Sequence, residues 1–329
     1  MKVGVFSSKK YDQVYLQQRS VHYGFDLEFL ETRLGPETKA LAERYDAICV
    51  FVNDIVDKTV LDTLKAHEIG HVALRCSGFN NVDTQYAQKL GISVSRVPAY
   101  SPEAVAEHTL ALMLTLNRKL HKAYNRVKEG NFSLDGLMGF NMHGKTVGVI
   151  GTGQIGRAVV RILNGFGCRI LCNDPYPHAD VEALGGEYVD IESLFRQSDI
   201  ITLHCPLTLE SQHMINHDAI HLMKDGVMLI NTSRGALVNT KAVVAGLKSQ
   251  KIGMLGLDVY EMESELFFDD RSCEVIQDDV FQRLSSFHNV LITGHQGFFT
   301  SEAMQQISQT TLENLQYYFT GKVNPDTFL

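Results

Sequence analysis

The chain has 329 residues, more than one hydrophobic core usually organises, so two domains are expected. Its formal net charge of −8 is spread along the sequence without a basic block, which argues against a nucleic-acid surface and predicts a small-molecule partner. No apolar run approaches the ~20 residues that span a bilayer, no signal core opens the chain, and the six scattered cysteines are typical of reduced thiols, so a cytoplasmic protein is predicted.

Residues 2–98 alternate apolar, strand-like runs with stretches of helical spacing, which is typical of an α/β domain wound on a parallel sheet. Gly24, Gly70 and Gly91 follow the predicted helices, and we expect each to cap its helix in the left-handed conformation. This half contains no glycine-rich phosphate-binding motif. The predicted strands are 2–7, 25–30, 46–52, 71–76 and 92–97, and the predicted helices are 11–22, 60–67 and 82–90.

A single long helix is predicted to begin at Ser101. Ser101 is a favourable N-cap, Pro102 suits the first helical position, and Glu103 places an acid in the first turn. Apolar residues then keep a helical register as far as Gly130. We therefore expect one helix that is long enough to bridge two domains.

The stretch 145–174 carries the strongest motif of the chain. After an apolar run at 146–150, the glycines of G-x-G-x-x-G allow a tight turn, the approach of a pyrophosphate, and close packing of helix on strand. A helix and a second strand follow, and Asp174 ends that strand where a carboxylate accepts hydrogen bonds from the adenosine ribose and repels a 2′-phosphate. The order predicts a Rossmann-type domain that binds NAD rather than NADP. The motif glycines are Gly151, Gly153 and Gly156.

The rest of the chain continues the α/β alternation. Strands are predicted at 199–205, 227–232, 254–259 and 289–293, with helices at 191–197, 217–223 and 241–249. A last helix over 301–319 has an apolar face, and we place it back on the first domain. The expected domains are then 1–100 with 299–329, and 101–298.

Three polar residues follow apolar runs of the second domain, where ligands of open α/β sheets bind. Arg234 can hold a carboxylate through two parallel hydrogen bonds, and His295 can exchange a proton with a ketone or alcohol oxygen. Glu263 can orient the imidazole and favour its charged form. Taken singly, each has an ordinary alternative: a surface arginine on a turn, a solvated acidic loop, or a histidine that caps a strand.

The sequence resembles the D-isomer-specific 2-hydroxyacid dehydrogenases over essentially its full length, and within them it is most similar to the fermentative D-lactate dehydrogenases. The resemblance implies two doubly wound parallel-sheet domains, a Rossmann-type NAD domain at 101–298 and a flavodoxin-like substrate domain at 1–100 and 299–329. The matching stretches are ALRCSGFNNVD, RVPAYSPEAVAEH, GVIGTGQIG, NDPY, LHCPLT, NTSRGALV, GLDVYE and TGHQGFFTSEA.

The resemblance also implies the roles of individual residues. Arg234 would bind the substrate carboxylate, Glu263 would pair with His295, and His295 would donate the proton during reduction. Further substrate contacts are implied for Ser77, Gly78, Tyr100 and Phe298, with Phe51 as an additional candidate. Cofactor contacts are implied for Gly151, Gly153, Gln154, Ile155, Gly156, Asp174, Cys205, Pro206, Ser211, Thr232, Ser233 and Asp258. Ser211 departs from the family, whose lactate-type members often have Asn there.

The implied reaction is the reversible reduction of pyruvate to D-lactate with NADH, in a homo-oligomer, either a dimer or a tetramer. Phe298 favours a small substrate, and Glu263 argues against a formate dehydrogenase, where the histidine pairs with Gln. Two alternatives stay open: a 2-hydroxyacid dehydrogenase with another substrate, and an NADH-sensing interaction protein similar to the C-terminal-binding corepressors. No metal is expected, because His217 and His221 lack the intervening Glu of a metalloprotease helix, and His67 and His71 lack a third ligand.

Overall fold

The computed structural model describes residues 1–263 and 266–329. It divides into two compact units: Met1–Ser101 with Phe299–Leu329 form the first, and Pro102–Phe298 form the second. No helix within the described ranges is both long and apolar enough to cross a bilayer.

The helices and strands of the two units can be given in chain order. Short 3-10 helices are also present at Lys39–Ala42 and Gly235–Leu237. The elements are β1 Lys2–Val5, α1 Lys10–Ser20, β2 Asp26–Phe29, β3 Ala47–Val50, α2 Lys58–Ala66, β4 His71–Leu74, α3 Thr84–Leu90, β5 Ser93–Ser95, α4 Pro102–Arg118, α5 Leu120–Lys128, β6 Thr146–Ile150, α6 Gln154–Gly165, β7 Arg169–Asn173, α7 Ala179–Ala183, β8 Gly186–Tyr188, α8 Ile191–Gln197, β9 Ile200–Leu203, α9 His217–Leu222, β10 Val227–Asn231, α10 Thr240–Lys248, β11 Ile252–Leu257, α11 Asp279–Ser285, β12 Val290–Ile292 and α12 Ser301–Phe319.

The first unit is built on a parallel sheet with the strand order β2-β1-β3-β4-β5. This is the flavodoxin-like order, as predicted. Strands β3 and β4 are buried along their whole length because helices cover both faces of the sheet. Helix α12 returns to this unit and packs against α1, where Leu312 and Leu315 join Val3 and Val5 in the core.

The second unit contains a parallel sheet with the order β12-β11-β10-β9-β6-β7-β8. From β6 the chain winds to β7 and β8, then crosses to β9 on the other side of β6, which is the Rossmann arrangement that the sequence predicted. Helices α4 and α6 cover one face of the sheet, and α8, α9 and α10 cover the other. The carboxyl ends of β6 and β9 therefore flank the switch point where ligands of such sheets bind.

The prediction of one helix from Ser101 to Gly130 is wrong. Helix α4 ends at Arg118, Lys119 adopts the left-handed region with φ 51°, and α5 begins at Leu120. The following loop folds back on this break: the Asn117 side chain bonds both backbone groups of Phe140 at 2.8 Å. Lys119 Nζ donates to the carbonyls of residues 136 and 138. These tertiary hydrogen bonds outweigh the local preference for a continuous helix.

Gly24 and Gly91 have the predicted positive φ, but Gly70 does not. Helix α2 ends at Ala66, and Glu68 adopts the left-handed conformation instead, with φ 59°. Gly70 is required for space, because a Cβ there would collide with the hydroxyl of Tyr318. The sequence analysis also missed α7, β8 and α11.

Candidate active site

The glycine motif forms the turn between β6 and α6. Gly151 has φ 91°, and a Cβ on it would lie 2.5 Å from the backbone nitrogen of Cys205, so the turn passes directly against the end of β9. A Cβ on Gly156 would collide with the carbonyl oxygen of Gly151. Gly153, by contrast, faces open space, and the N-terminus of α6 has no side-chain cap. Exposed backbone N–H groups at a helix N-terminus fit the diphosphate of NAD.

Asp174 follows β7 beside this turn. Its Oδ2 accepts hydrogen bonds from the Thr152 backbone N–H at 2.6 Å and from the Thr152 hydroxyl at 3.1 Å. Its Oδ1 accepts from the Tyr176 N–H at 2.8 Å. The carboxylate is thereby fixed at the outer end of β7, and it is partly exposed.

The other predicted cofactor residues lie on the loops that follow β9 and β10. The Ser233 hydroxyl donates to the Cys205 carbonyl at 2.7 Å, and the Ser211 hydroxyl donates to the Pro206 carbonyl at 2.8 Å. Burial raises the pKa of the Cys205 thiol to about 11, so it stays neutral near pH 7. Gln154 and Ile155 form the first turn of α6.

Two predicted cofactor residues use their side chains within the protein. The Thr232 hydroxyl is buried against that of Thr109 on α4, 2.8 Å away. Asp258 is only 2% exposed, and its carboxylate oxygens accept backbone N–H groups of Gln296 at 2.9 Å and Gly297 at 2.8 Å. The carboxylate of Asp258 thus faces the turn after β12.

The three residues proposed for catalysis follow β10, β11 and β12, which are neighbours in the sheet. His295 Nδ1 lies 2.9 Å from Glu263 Oε1, and the Tyr260 N–H donates to Glu263 Oε2 at 3.0 Å. The two side chains are 17% and 19% exposed, so the pair is sheltered but accessible. His295 adopts the left-handed region with φ 53°, an uncommon conformation for a residue with a side chain.

Arg234 lies on the loop that follows β10. Asn231 Nδ2 donates to its carbonyl at 2.8 Å, and its own Nη1 donates to the Ser233 carbonyl at 2.7 Å. The next residue, Gly235, packs so closely on the backbone of Tyr260 that a Cβ would collide with it. This contact sets the Arg234 loop beside the segment that leads to Glu263.

Aromatic rings surround the imidazole of His295. The Phe268 ring centroid is 5.6 Å from that of His295, and the Phe298 ring meets it edge-on at 6.4 Å. Phe298 was expected from the sequence; Phe268 was missed because it lies in an acidic loop without strand or helix periodicity. Such rings limit the volume and the water content beside the imidazole.

In the first unit, the predicted substrate residues follow strands of the five-stranded sheet. The Ser77 hydroxyl donates to the Pro98 carbonyl at 3.3 Å, and Gly78 accepts a hydrogen bond from the Cys76 thiol at 3.3 Å. Tyr100 is half-buried in the loop before α4, and Phe51 is 8% exposed after β3. All four residues lie on loops at the carboxyl side of this sheet.

A buried charged cluster that the sequence analysis missed supports these loops. Arg75 is 1% exposed, stacks over the Phe51 ring at 4.9 Å, and donates from Nη2 to the Ser7 carbonyl at 2.8 Å. Its Nε lies 3.4 Å from Asp12 Oδ1. Asp54 accepts from the Ser7 hydroxyl at 2.7 Å and the Phe51 N–H at 2.6 Å. Burial raises the pKa of Asp54 above its ordinary value, against the opposing effect of Arg75.

The D-isomer specific 2-hydroxyacid dehydrogenase NAD-binding domain matches residues 110–297 of the chain. D-lactate dehydrogenase of Escherichia coli K12 is 56% identical over 326 residues, which cover 99% of each chain. The apo-structure of that organism's D-lactate dehydrogenase superimposes with a TM-score of 0.90 at 54% identity, with 99% of each chain covered. The Aquifex aeolicus D-lactate dehydrogenase complexed with NAD and lactic acid gives a TM-score of 0.87 at 35% identity, covering 97% and 96%.

The chain therefore belongs to the D-isomer-specific 2-hydroxyacid dehydrogenase family, as the sequence motifs predicted. It is an enzyme of that family, and NAD is its cofactor.

Proposed function

We propose that this enzyme is a D-lactate dehydrogenase, which converts pyruvate, NADH and a proton into D-lactate and NAD⁺ in a reversible reaction. The observation that carries the proposal is the contact of 2.9 Å between His295 Nδ1 and Glu263 Oε1, at the carboxyl side of the sheet in the NAD-binding unit. The relatives named as D-lactate dehydrogenases support the choice of substrate.

In this proposal each of the three polar residues has a separate task. Arg234 holds the substrate carboxylate through its planar guanidinium, which fixes the position of C2. Glu263 binds Nδ1 of His295, so that Nε2 is the ring atom that gives a proton to the C2 oxygen during reduction and removes it during oxidation. NADH, when bound, supplies the hydride. Phe298 and Phe268 restrict the space beside the imidazole, which favours the methyl group of pyruvate.

The domain roles belong to the same proposal. Residues 101–298 would bind NAD, with the diphosphate over Gly153 and the ribose at Asp174, and residues 1–100 with 299–329 would contribute Ser77, Gly78 and Tyr100 to the substrate. The charge of Asp174 beside the ribose favours NAD over NADP. The remaining cofactor contacts follow the family motifs given above.

We also propose a homo-oligomer in the cytoplasm. Helix α5 exposes Leu120, Tyr124 and Val127 by 55%, 62% and 54%, at a spacing that forms one apolar stripe. The following loop adds Leu134 and other exposed apolar side chains. A contiguous apolar surface of this kind favours association with a second copy. Light scattering after size-exclusion chromatography would give the mass of the assembly in solution.

All six cysteines are free, which suits a reducing compartment such as the cytoplasm.

The deciding experiment compares pyruvate, 2-oxobutyrate, phenylpyruvate and oxaloacetate as substrates in steady state, with NADH oxidation as the readout and a chiral assay of the product. We expect the highest kcat/KM with pyruvate and D-lactate as the product. A higher kcat/KM with a larger 2-oxo acid would indicate a different 2-hydroxyacid dehydrogenase. NADH binding without turnover of any of the four acids would support the NADH-sensing interaction protein.

A further inference from the structure

The turn that carries His295 is wrapped around the carboxylate of Asp258. Oδ1 of Asp258 accepts the Gln296 N–H at 2.9 Å, Oδ2 accepts the Gly297 N–H at 2.8 Å, and the backbone carbonyl of Asp258 accepts the His295 N–H at 2.8 Å. Because the φ of His295 is 53°, this turn needs such fixed partners to hold the imidazole in place. The position of His295 therefore depends on the position of the Asp258 carboxylate.

The carboxylate of Asp258 is itself held from the side of α4. The Thr293 hydroxyl donates to Asp258 Oδ1 at 2.5 Å. His108 Nε2 lies 3.0 Å from the same hydroxyl oxygen and 3.3 Å from Asp258 Oδ1. Burial alone would raise the pKa of Asp258, but the hydrogen bonds from His108 and Thr293 outweigh it and lower that pKa.

The protons of this cluster can be assigned by counting donors. A threonine hydroxyl has one proton, and that of Thr293 points at Asp258. The oxygen of Thr293 can then only accept from His108, so Nε2 of His108 carries a proton. The result is a directed series of hydrogen bonds, from His108 to Thr293, from Thr293 to Asp258, and from the turn of His295 to Asp258.

Steric contact reinforces the same arrangement. A Cβ on Gly297 would lie 2.9 Å from Asp258 Oδ2 and 3.4 Å from Cδ2 of His108. The ring of His108 thus packs against the turn as well as bonding to its support. It is 16% exposed, so solvent does not replace its hydrogen bond freely.

We propose that His108 and Thr293 are positioning residues of this enzyme: they fix the Asp258 carboxylate and, through it, the turn that aims His295. This inference rests on the function proposed above. Both residues would then affect turnover through the position of His295, without contact to the substrate.

The test compares His108→Leu, His108→Gln, Thr293→Val and the double variant His108→Leu/Thr293→Val, each with the 2-oxo acid that the wild type reduces fastest. Gln keeps an N–H near the place of Nε2, whereas Leu keeps only volume. His221→Leu, on the exposed side of α9, is the matched control. The readouts are kcat, KM for the 2-oxo acid, and NADH affinity by fluorescence titration, which also reports a folded NAD-binding unit.

We expect His108→Leu and Thr293→Val each to lower kcat about tenfold, the effect of one lost hydrogen bond, with both binding constants within about threefold of wild type. The double variant should be no worse than about twofold below either single one, because both changes break the same series. His108→Gln should restore at least half of the wild-type kcat, and His221→Leu should have no effect.

Three results would overturn the inference. One is a kcat of His108→Leu within twofold of wild type. The second is a loss in His108→Gln as large as in His108→Leu, since volume would then matter and the hydrogen bond would not. The third is a double variant whose losses multiply. Failure of the wild type to reduce any 2-oxo acid would contradict the proposed function instead, so the two failures are distinguishable.

Discussion

The two parallel sheets of this protein have similar topology but different chemistry at their carboxyl edges. In the first unit, the edge contains charged side chains that are almost completely buried, with Arg75 1% and Asp54 0% exposed. In the second unit, the edge contains the glycine turn, where Gly153 faces open space, and the partly exposed pair Glu263 and His295. The winding of the chain thus provides a place for a ligand, whereas the side chains at the strand ends determine the chemistry there.

The difference has a physical reason. A reacting group must remain reachable and able to exchange protons, so a pair such as Glu263 and His295 keeps some exposure. In the first unit, Arg75 joins the segments that follow β1, β3 and β4, because it bonds to the Ser7 carbonyl, stacks on Phe51 and itself follows β4. Because Arg75 Nε lies 3.4 Å from Asp12 Oδ1, removal of the guanidinium would leave a buried carboxylate without its cation.

The variant His295→Ala tests whether the reaction takes place at the carboxyl edge of the second sheet, and it should cause the largest loss. His295→Ala should lower kcat about 1000-fold, because the proton donor is lost, while NADH affinity changes by less than about threefold. Stopped-flow turnover and fluorescence titration measure the two quantities. His288→Ala, an exposed histidine just before β12, is the control. Equal losses in turnover and NADH affinity would contradict the role of His295.

The second prediction tests the buried edge of the first sheet. Arg75→Met should lower the free energy of unfolding by about 3 kcal/mol, because Asp12 and Asp54 would be left buried without their cation. Arg44→Met removes contacts of an exposed guanidinium with Glu28 and Tyr45 and should lower that free energy much less. Urea unfolding compares them. Equal stabilities of the two variants would mean that the buried cluster adds nothing to the first unit.

The third prediction concerns the carboxylate of the substrate. Arg234→Lys keeps the charge but loses the planar fork, so kcat/KM for pyruvate should fall about 100-fold with little change in KM for NADH. Arg283→Lys, on the exposed side of α11, provides the control. An unchanged dependence on pyruvate concentration would remove Arg234 from the substrate site.

A smaller effect is expected at the cofactor ribose. Asp174→Ala should reduce the preference for NADH over NADPH about tenfold, because one charge-assisted hydrogen-bonding group and its repulsion of a phosphate disappear. The control is Asp180→Ala on α7, whose side chain is 67% exposed. The ratio of kcat/KM for the two cofactors is the measurement. Persistence of the wild-type ratio would mean that another group selects NAD.

The last prediction contrasts His71, which is buried, with His295, which is partly exposed. Burial lowers the pKa of His71 to about 3, and its ring is bonded to the hydroxyls of Ser93 and Ser95. In the unfolded chain His71 binds a proton below pH ~6.5, whereas in the folded chain it stays neutral down to about pH 3. The free energy of unfolding is therefore unaffected by His71 above pH ~6.5, and it falls by about 1 kcal/mol per pH unit from there towards pH 3. Urea unfolding at several pH values should show a shallower slope for His71→Phe. An identical slope would refute the assignment.

Local patterns were sufficient for the features that depend on neighbouring residues. The order of strand, glycines and Asp174 predicted the Rossmann unit, and the apolar runs predicted eleven strands that the structure contains, β1–β7 and β9–β12. The break at Lys119 could not be predicted, because it depends on a loop that folds back from residue 140. The pairing of Glu263 with His295 was suggested by their positions after two strands and implied by the resemblance to a family, since no spacing rule joins residues 32 apart.

Polar residues in the interior were the hardest to interpret from sequence. Arg75 follows an apolar run, and that run does not indicate that carboxylates approach it from α1, at Asp12, and from the loop after β3, at Asp54. His108 lies on α4, where the apolar spacing predicts which neighbouring residues are buried but gives no partner for His108. Its partner Thr293 is 185 positions away in the sequence. The contacts of both residues arise from tertiary packing alone.

The return of α12 to the first unit has a consequence for synthesis. Translation completes the second unit, Pro102–Phe298, before the ribosome makes Leu312 and Leu315, which the core of the first unit requires. The first residues of the chain therefore keep part of their apolar surface exposed until α12 has been made. A released chain that ends at residue 298 would contain the whole second unit, together with a first unit that lacks α12 and exposes apolar surface.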